Sequence, residues 1–223
     1  MKLAIYDFDG TYVLKQTLPY LFKLWKREKI NNKAYNKYWL RIMWRYLLYK
    51  LHLFGWNKQT FRAGAMKITA DLFRSIEREK LNKFLDLFYQ EIQPFISKEM
   101  SQQLKKDNEE GFYTILLSGN FNIILKPFLA EGFKEVIGTN VEGENGLKKS
   151  NEVEIIINKR KQDIIEHLFK EADFKNSKAY ADSDYDLPIL ELVGNPIVVN
   201  PDKELTKIAL ERNFKIMYTN KKV

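Results

Sequence analysis

Two carboxylates stand one residue apart near the start of the chain, in Ile5-Tyr6-Asp7-Phe8-Asp9-Gly10-Thr11. They follow a short apolar run, Leu3-Ala4-Ile5-Tyr6, with the length and side chains of a strand. In extended backbone, residues i and i+2 share a face, so Asp7 and Asp9 point the same way. Carboxylates that close repel, a cost relieved by a cation or by a proton in transfer. Gly10 permits a tight turn out of the sheet, and the carboxyl end of an open-sheet strand is where such folds place ligands. Taken alone, the stretch suits equally well a strand end followed by an Asp-Gly turn.

Four more polar positions suit the same chemistry. Ser118 ends the apolar run 113–117 just before an expected helix, where its hydroxyl and the Gly119 N–H can donate to an anion or simply cap the helix. Lys161 opens a helix in Lys159-Arg160-Lys161, as a site lysine or as one more solvated cation. Asp182 and Asp186 follow the run 178–181 at i and i+4, fitting either a helix N-terminus or a hard-cation site. Together these residues supply what phosphoryl transfer to a carboxylate requires: a nucleophile, a proton carrier, a divalent cation and donors for the phosphate oxygens. Asp7 and Asp9 fill the first two roles.

The elements that position them read as follows. Residues 18–50 have helical character with a break at Asn31-Asn32, and 58–92 continue as helix with Ile68, Leu72, Ile76, Leu81, Phe84, Leu85 and Phe88 inward. In the first block Lys37, Arg41 and Arg45 form a basic stripe, beside an apolar face of Tyr38, Ile42, Met43, Tyr46 and Leu47. Beyond Pro94, helices alternate with apolar strands, which predicts an α/β domain with a parallel sheet covered on both faces. Glu142-Gly143-Glu144-Asn145-Gly146 reads as a hairpin turn.

Composition narrows the classes. With 45% hydrophobic and 14% aromatic residues in 223, the chain has material for a real core. It has no cysteine, which removes disulfides, thiolate nucleophiles and cysteine-based zinc sites, and only His52 and His167 are available to histidine-based schemes. Asp7 and Asp9 interrupt any N-terminal leader pattern, and no window of about 18 apolar residues exists, so a cytoplasmic protein is expected. The net charge of +8 is uneven: residues 15–60 hold eleven Lys/Arg against Glu28 alone, giving +10, while the rest is −2. All four tryptophans, Trp25, Trp39, Trp44 and Trp56, lie in that segment.

The motif set resembles the haloacid dehalogenase (HAD) superfamily of aspartate-dependent phosphohydrolases. Its DxDGT motif is similar to Asp7-Phe8-Asp9-Gly10-Thr11, its strand ending in Ser or Thr to Ile115-Leu116-Leu117-Ser118, its lone lysine to Lys161, and its DSxxD to Asp182-Ser183-Asp184-Tyr185-Asp186. The resemblance implies a HAD-like Rossmannoid core at 1–15 and 95–223, with an all-helical cap at 16–94 inserted after the first strand, as in the phosphoserine phosphatase-like branch. It implies Asp7 as the nucleophile, Asp9 as general acid and then base, and Ser118, Gly119 and Lys161 as phosphate-binding groups. It also implies Mg²⁺ held by Asp7, the Asp9 backbone carbonyl and Asp182, with Asp186 behind them. Asn158 departs from the glycine that often precedes the lysine, which leaves Lys159 as an alternative to Lys161.

Substrate is the least specified part. The branch's phosphoserine-recognising Glu is matched here by the neutral Gln16, which disfavours phosphoserine. The run 16–21, with 194–202, is closer to bacterial lipid-phosphate phosphatases such as the phosphatidylglycerophosphate type. A basic, tryptophan-rich insert suits anionic lipid, at about 1 kcal/mol per Lys or Arg near the surface. The same features suit packing within the insert under a solvated face, or a nucleic-acid or membrane-surface binding module on an inactive scaffold; the intact Asp7–Asp9 pair disfavours the last.

Overall fold

In a computed structural model of the chain, which describes residues 1–144 and 146–219 apart from the side chain of Phe54, the central strand is the apolar run before Asp7. This strand, β1 (Leu3–Tyr6), is buried at all four residues. Since successive side chains alternate between faces, both faces of the sheet are covered there. The other strands are β2 (Tyr113–Phe121), β3 (Glu135–Thr139), β4 (Glu142–Gly143), β5 (Gly146–Leu147), β6 (Lys178–Ala181), β7 (Asn195–Val199) and β8 (Lys215–Met217). The helices are α1 (Thr17–Arg27), α2 (Asn32–Lys50), α3 (Lys58–Phe73), α4 (Arg78–Ile92), α5 (Lys98–Glu109), α6 (Asn122–Leu125), α7 (Lys159–Leu168), α8 (Leu187–Leu192) and α9 (Lys203–Glu211).

Six strands form one sheet in the order β3-β2-β1-β6-β7-β8. β1 is parallel to both neighbours, with Tyr6 opposite Leu116 on β2 and Tyr180 on β6. The chain builds outward from β1 in one direction through β3, then returns and builds the other way from β6. The order therefore reverses between β1 and β6, the place where open α/β sheets hold their ligands.

The chain forms two compact units: Met1–Thr17, Glu91–Gly138 and Ile156–Val223 make the sheet unit, and Leu18–Gln90 with Thr139–Ile155 make the helical one. The sequence boundaries assign 139–155 to the core, but the structure groups this segment with the helices, where Glu142 pairs with Arg78 of α4 at 2.5 Å. The expected hairpin is the antiparallel β4–β5 pair; Asn145 of its turn lies outside the described residues. The long helix expected over 58–92 is two helices. α3 stops where Ser75 Oγ donates to the Leu72 carbonyl at 2.6 Å, a side-chain bond that competes with helix continuation.

α2 also differs from expectation. Its buried residues are Tyr35, Tyr38 and Ile42, whereas Met43, Tyr46 and Leu47 are exposed. Of its basic stripe, Arg41 pairs with Asp71 of α3 at 2.8 Å, and the Arg45 guanidinium lies 5.3 Å from the Trp56 ring.

In the sheet unit, a polar network fastens α5 to the sheet at the fully buried Asp107. Its Oδ2 accepts from the Tyr6 hydroxyl at 2.5 Å and the Tyr180 hydroxyl at 2.9 Å. Its Oδ1 accepts from Lys178 Nζ at 2.7 Å and Gln103 Nε2 at 2.9 Å. Asp107→Ala takes this acceptor from the two buried hydroxyls and leaves Lys178 Nζ with Glu110 Oε2 at 2.8 Å, so urea unfolding should show a loss of about 3–5 kcal/mol. A loss under about 1 kcal/mol would mean that these bonds contribute little net stability.

Candidate active site

At the end of β1 the ladder runs one residue further, with Asp7 N–H donating to the Tyr180 carbonyl at 2.9 Å. The chain then closes a tight loop in which Val13 N–H donates to Phe8 O at 2.9 Å and Gly10 N–H to Val13 O at 2.7 Å. Gly10 sits at φ +88, and a Cβ there would collide with the Asp182 carboxylate. Both conditions demand glycine. Gly10→Ala should therefore displace Asp182 and lower kcat/KM by about 100-fold or more, because errors near 1 Å cost that much in a positioned site. Steady-state kinetics on any accepted substrate checks this.

Asp7 and Asp9 diverge from this loop. The Asp9 carboxylate accepts from the backbone N–H of Thr17, the first residue of α1, at 2.6 Å. Asp7 instead meets Lys161, whose Nζ lies 2.8 Å from Asp7 Oδ1 and 2.5 Å from Asp186 Oδ1. Lys161 is buried, while Lys159 is exposed and pairs with Asp163 at 3.3 Å. Of the two lysines, it is Lys161 that the fold brings to Asp7 and Asp186. The chain enters α7 through Asn158 at φ +49 and ψ −130, a backbone conformation that favours glycine.

Charge at this point is crowded. Ligand oxygens of Asp7, Asp182 and Asp186 all lie within 4.8 Å of one another. Burial pushes the Asp7 carboxyl well above the usual range; Lys161 opposes this, and Asp186 and Asp182 add to it. Burial, reinforced by Asp186, pushes Asp182 up to about 7. Burial disfavours the Lys161 cation, but Asp186 and Asp7 outweigh it and hold the ammonium above the ordinary lysine range. Three carboxylates and one ammonium sum to −2 when ionised, the charge a divalent cation would balance. The Asp9 carboxylate, held by the Thr17 N–H, also helps to raise Asp182.

Ser118 is placed differently from expectation. β2 continues through it to Phe121, so Ser118 lies within a strand and does not cap a helix. The following α6 has four residues, and Lys126–Glu131, with Pro127 in it, winds as a tighter 3-10 turn. Ser118 is buried two residues beyond Leu116, the partner of Tyr6. Its Oγ accepts from Asn120 N–H at 3.1 Å, and Asn120 Nδ2 donates to Thr17 Oγ1 at 2.8 Å. A Cβ on Gly119 would press on the Ile156 carbonyl oxygen at 2.8 Å, so glycine is required beside Ser118.

A chain of bonds, Ser118–Asn120–Thr17–Asp9, thus ties the second motif to the first. Sequence reading missed Thr17 and Asn120. The available signal was a polar Asn120 between an apolar strand and the apolar run 123–125.

Comparison with known proteins shows the family and the fold. The haloacid dehalogenase-like hydrolase family model matches residues 4–191. A histidinol-phosphatase of Neisseria meningitidis serogroup C is 30% identical over 97% of this chain and 98% of its own length. Among solved structures, a protein of unknown function from Bordetella pertussis Tohama I superposes with TM-score 0.80 at 19% identity, covering 97% of each chain. A phosphoserine phosphatase in apo form does so with TM-score 0.63 at 16% identity, covering 99% of this chain and 94% of the other. The chain belongs to the haloacid dehalogenase-like hydrolases, and the named enzymes it resembles here are phosphatases.

Proposed function

We propose that the protein is a Mg²⁺-dependent phosphomonoester hydrolase that carries the phosphoryl group on Asp7. The observation behind this reading is the buried Lys161 bridging Asp7 and Asp186, with Asp182 alongside, where the sheet order reverses. Asp7 attacks phosphorus, so a P–O bond to its carboxylate forms as the ester P–O bond breaks. The leaving oxygen takes a proton from Asp9. Water then attacks the same phosphorus, giving its proton to Asp9 and releasing inorganic phosphate and the Asp7 carboxylate. Lys161 and Ser118 donate to the phosphoryl oxygens, and Asp186 orients Lys161. Mg²⁺ bound by Asp7 and Asp182, with Asp186 next to them, would supply the charge neutralisation that the net −2 cluster lacks.

For substrate, the first reading is a small amine-bearing phosphate ester, because the full-length relative is named a histidinol-phosphatase. The second is a lipid phosphate such as phosphatidylglycerophosphate, favoured by the exposed apolar residues of α2. Phosphate release should be measured on histidinol phosphate, phosphoserine, sugar phosphates, nucleotides and phosphatidylglycerophosphate, with Mg²⁺ and with EDTA. Turnover that needs Mg²⁺ is expected on at least one ester. No release from any of them with Mg²⁺ would refute the reading.

A further inference from the structure

α2 has two apolar faces. One is the buried face of Tyr35, Tyr38 and Ile42, at i, i+3 and i+7, in a helix that packs on α3. The opposite side carries Leu40, Trp44, Leu47 and Leu51, at i, i+4, i+7 and i+11, which is again one helical stripe. These side chains are 77%, 63%, 46% and 56% exposed. The stripe is about 17 Å long at 1.5 Å per residue. Met43, on the flank of the stripe, is also exposed. A contiguous apolar stripe of this size on a charged protein marks an interaction surface.

We infer that this outer face of α2 docks on an anionic lipid bilayer, with the helix lying in the plane of the interface. Charge selects this occupant. α2 has five basic residues and no acidic one, in a segment that carries +10 overall. A second copy of the chain would bring two such surfaces together and repel. Anionic headgroups neutralise them, while long Lys and Arg side chains keep their charges at headgroup level as the leucines and Trp44 enter the acyl boundary. Nucleic acid would meet the charges but would leave the leucine row without a partner.

A cavity beside the stripe fits the same occupant. It holds about 580 Å³ and is lined by Lys33, Lys37, Arg41 and Arg74, with Asp71, already paired to Arg41, as its acid. Lys33 and Lys37 are exposed. They lie on the same side of α2 as Leu40 and Trp44, so a headgroup over the stripe would have cations within reach.

Co-sedimentation with phosphatidylcholine vesicles, with and without phosphatidylglycerol, tests the inference. The full chain should pellet with the anionic vesicles, stay in solution with neutral ones, and release as salt rises. The triple variant L40Q/W44Q/L47Q, which keeps helix-favouring side chains, should partition about tenfold less or weaker still while its activity on a small soluble ester is unchanged. K33E/K37E is an independent variant at exposed positions and should lose the anionic preference. Equal pelleting of wild type and both variants would overturn the inference. So would a dimer in analytical ultracentrifugation that the triple variant turns into a monomer.

Discussion

Lys161→Met should both inactivate the protein and destabilise it. The Lys161 ammonium bonds two of the three carboxylates of the cluster, Asp7 and Asp186, and both are buried. Removing one partner of a buried ion pair costs about 3–5 kcal/mol, because the remaining charges stay desolvated. Crowded carboxylates can respond by taking up protons, so the loss should be larger at pH 8 than at pH 5. Activity should fall about 100- to 1,000-fold, the usual effect of losing one donor to a developing anionic oxygen. Urea unfolding at the two pH values, together with initial rates, checks both parts. A variant as stable as wild type at pH 8 would show that Lys161 is not holding the cluster together.

Asp182→Asn should act in the opposite direction on stability. The folded Asp182 carboxyl is pushed up to about 7, while the unfolded carboxyl ionises near 4. The folded state therefore holds the extra proton across this window, and the metal-free protein loses stability as pH rises through it. An amide cannot ionise, so at pH 8 the metal-free variant should be more stable by about 1–3 kcal/mol, a gain of several degrees in Tm. It should also lose the Tm increase that Mg²⁺ gives wild type at pH 8, and lose turnover with it. Scanning calorimetry with Mg²⁺ and with EDTA reads all of this. An equal Mg²⁺ response in variant and wild type would remove Asp182 from the cation site.

These two variants concern residues that the sequence exposes to different degrees. Asp7, Asp9, Asp182 and Asp186 were legible because each follows an apolar strand, and strand ends in such sheets share one edge. The choice between Lys159 and Lys161 was not legible. Both belong to one charged run, and only the roughly 200° between them around the helix sends one outward to Asp163 and the other inward. Asp107 sits in the polar run 105–110 and shows no sign in one dimension of the four donors that meet it. The Ser118 hydroxyl is legible but its setting is not, because Gly119 and Asn120 read as a break before a helix whereas the strand runs on to Phe121.

The helical unit shows the same division. Its helical content was readable from the apolar spacing, and Asn31 caps α2 by accepting from Ala34 N–H at 3.0 Å, close to the expected break. The sequence gives no direction to a helix that is apolar on two sides: it reads Met43, Tyr46 and Leu47 as one apolar face with Tyr38 and Ile42, whereas the first three are exposed and the last two buried. Sequence order alone places the segment 139–155 with the sheet unit, whereas its grouping with the helices rests on long-range contacts such as Arg78–Glu142.

The central claim is that Asp7 carries the phosphoryl group, and intact-mass spectrometry after rapid acid quench tests it most directly. Asp9→Asn should slow release of the acyl phosphate, so protein incubated with Mg²⁺ and an accepted ester should gain the mass of one phosphoryl group. Peptide mapping should place that group on Asp7, and the Asp7→Asn/Asp9→Asn double variant should gain nothing. A phosphoryl group mapped to any other residue, or full turnover by Asp7→Asn, would contradict the account.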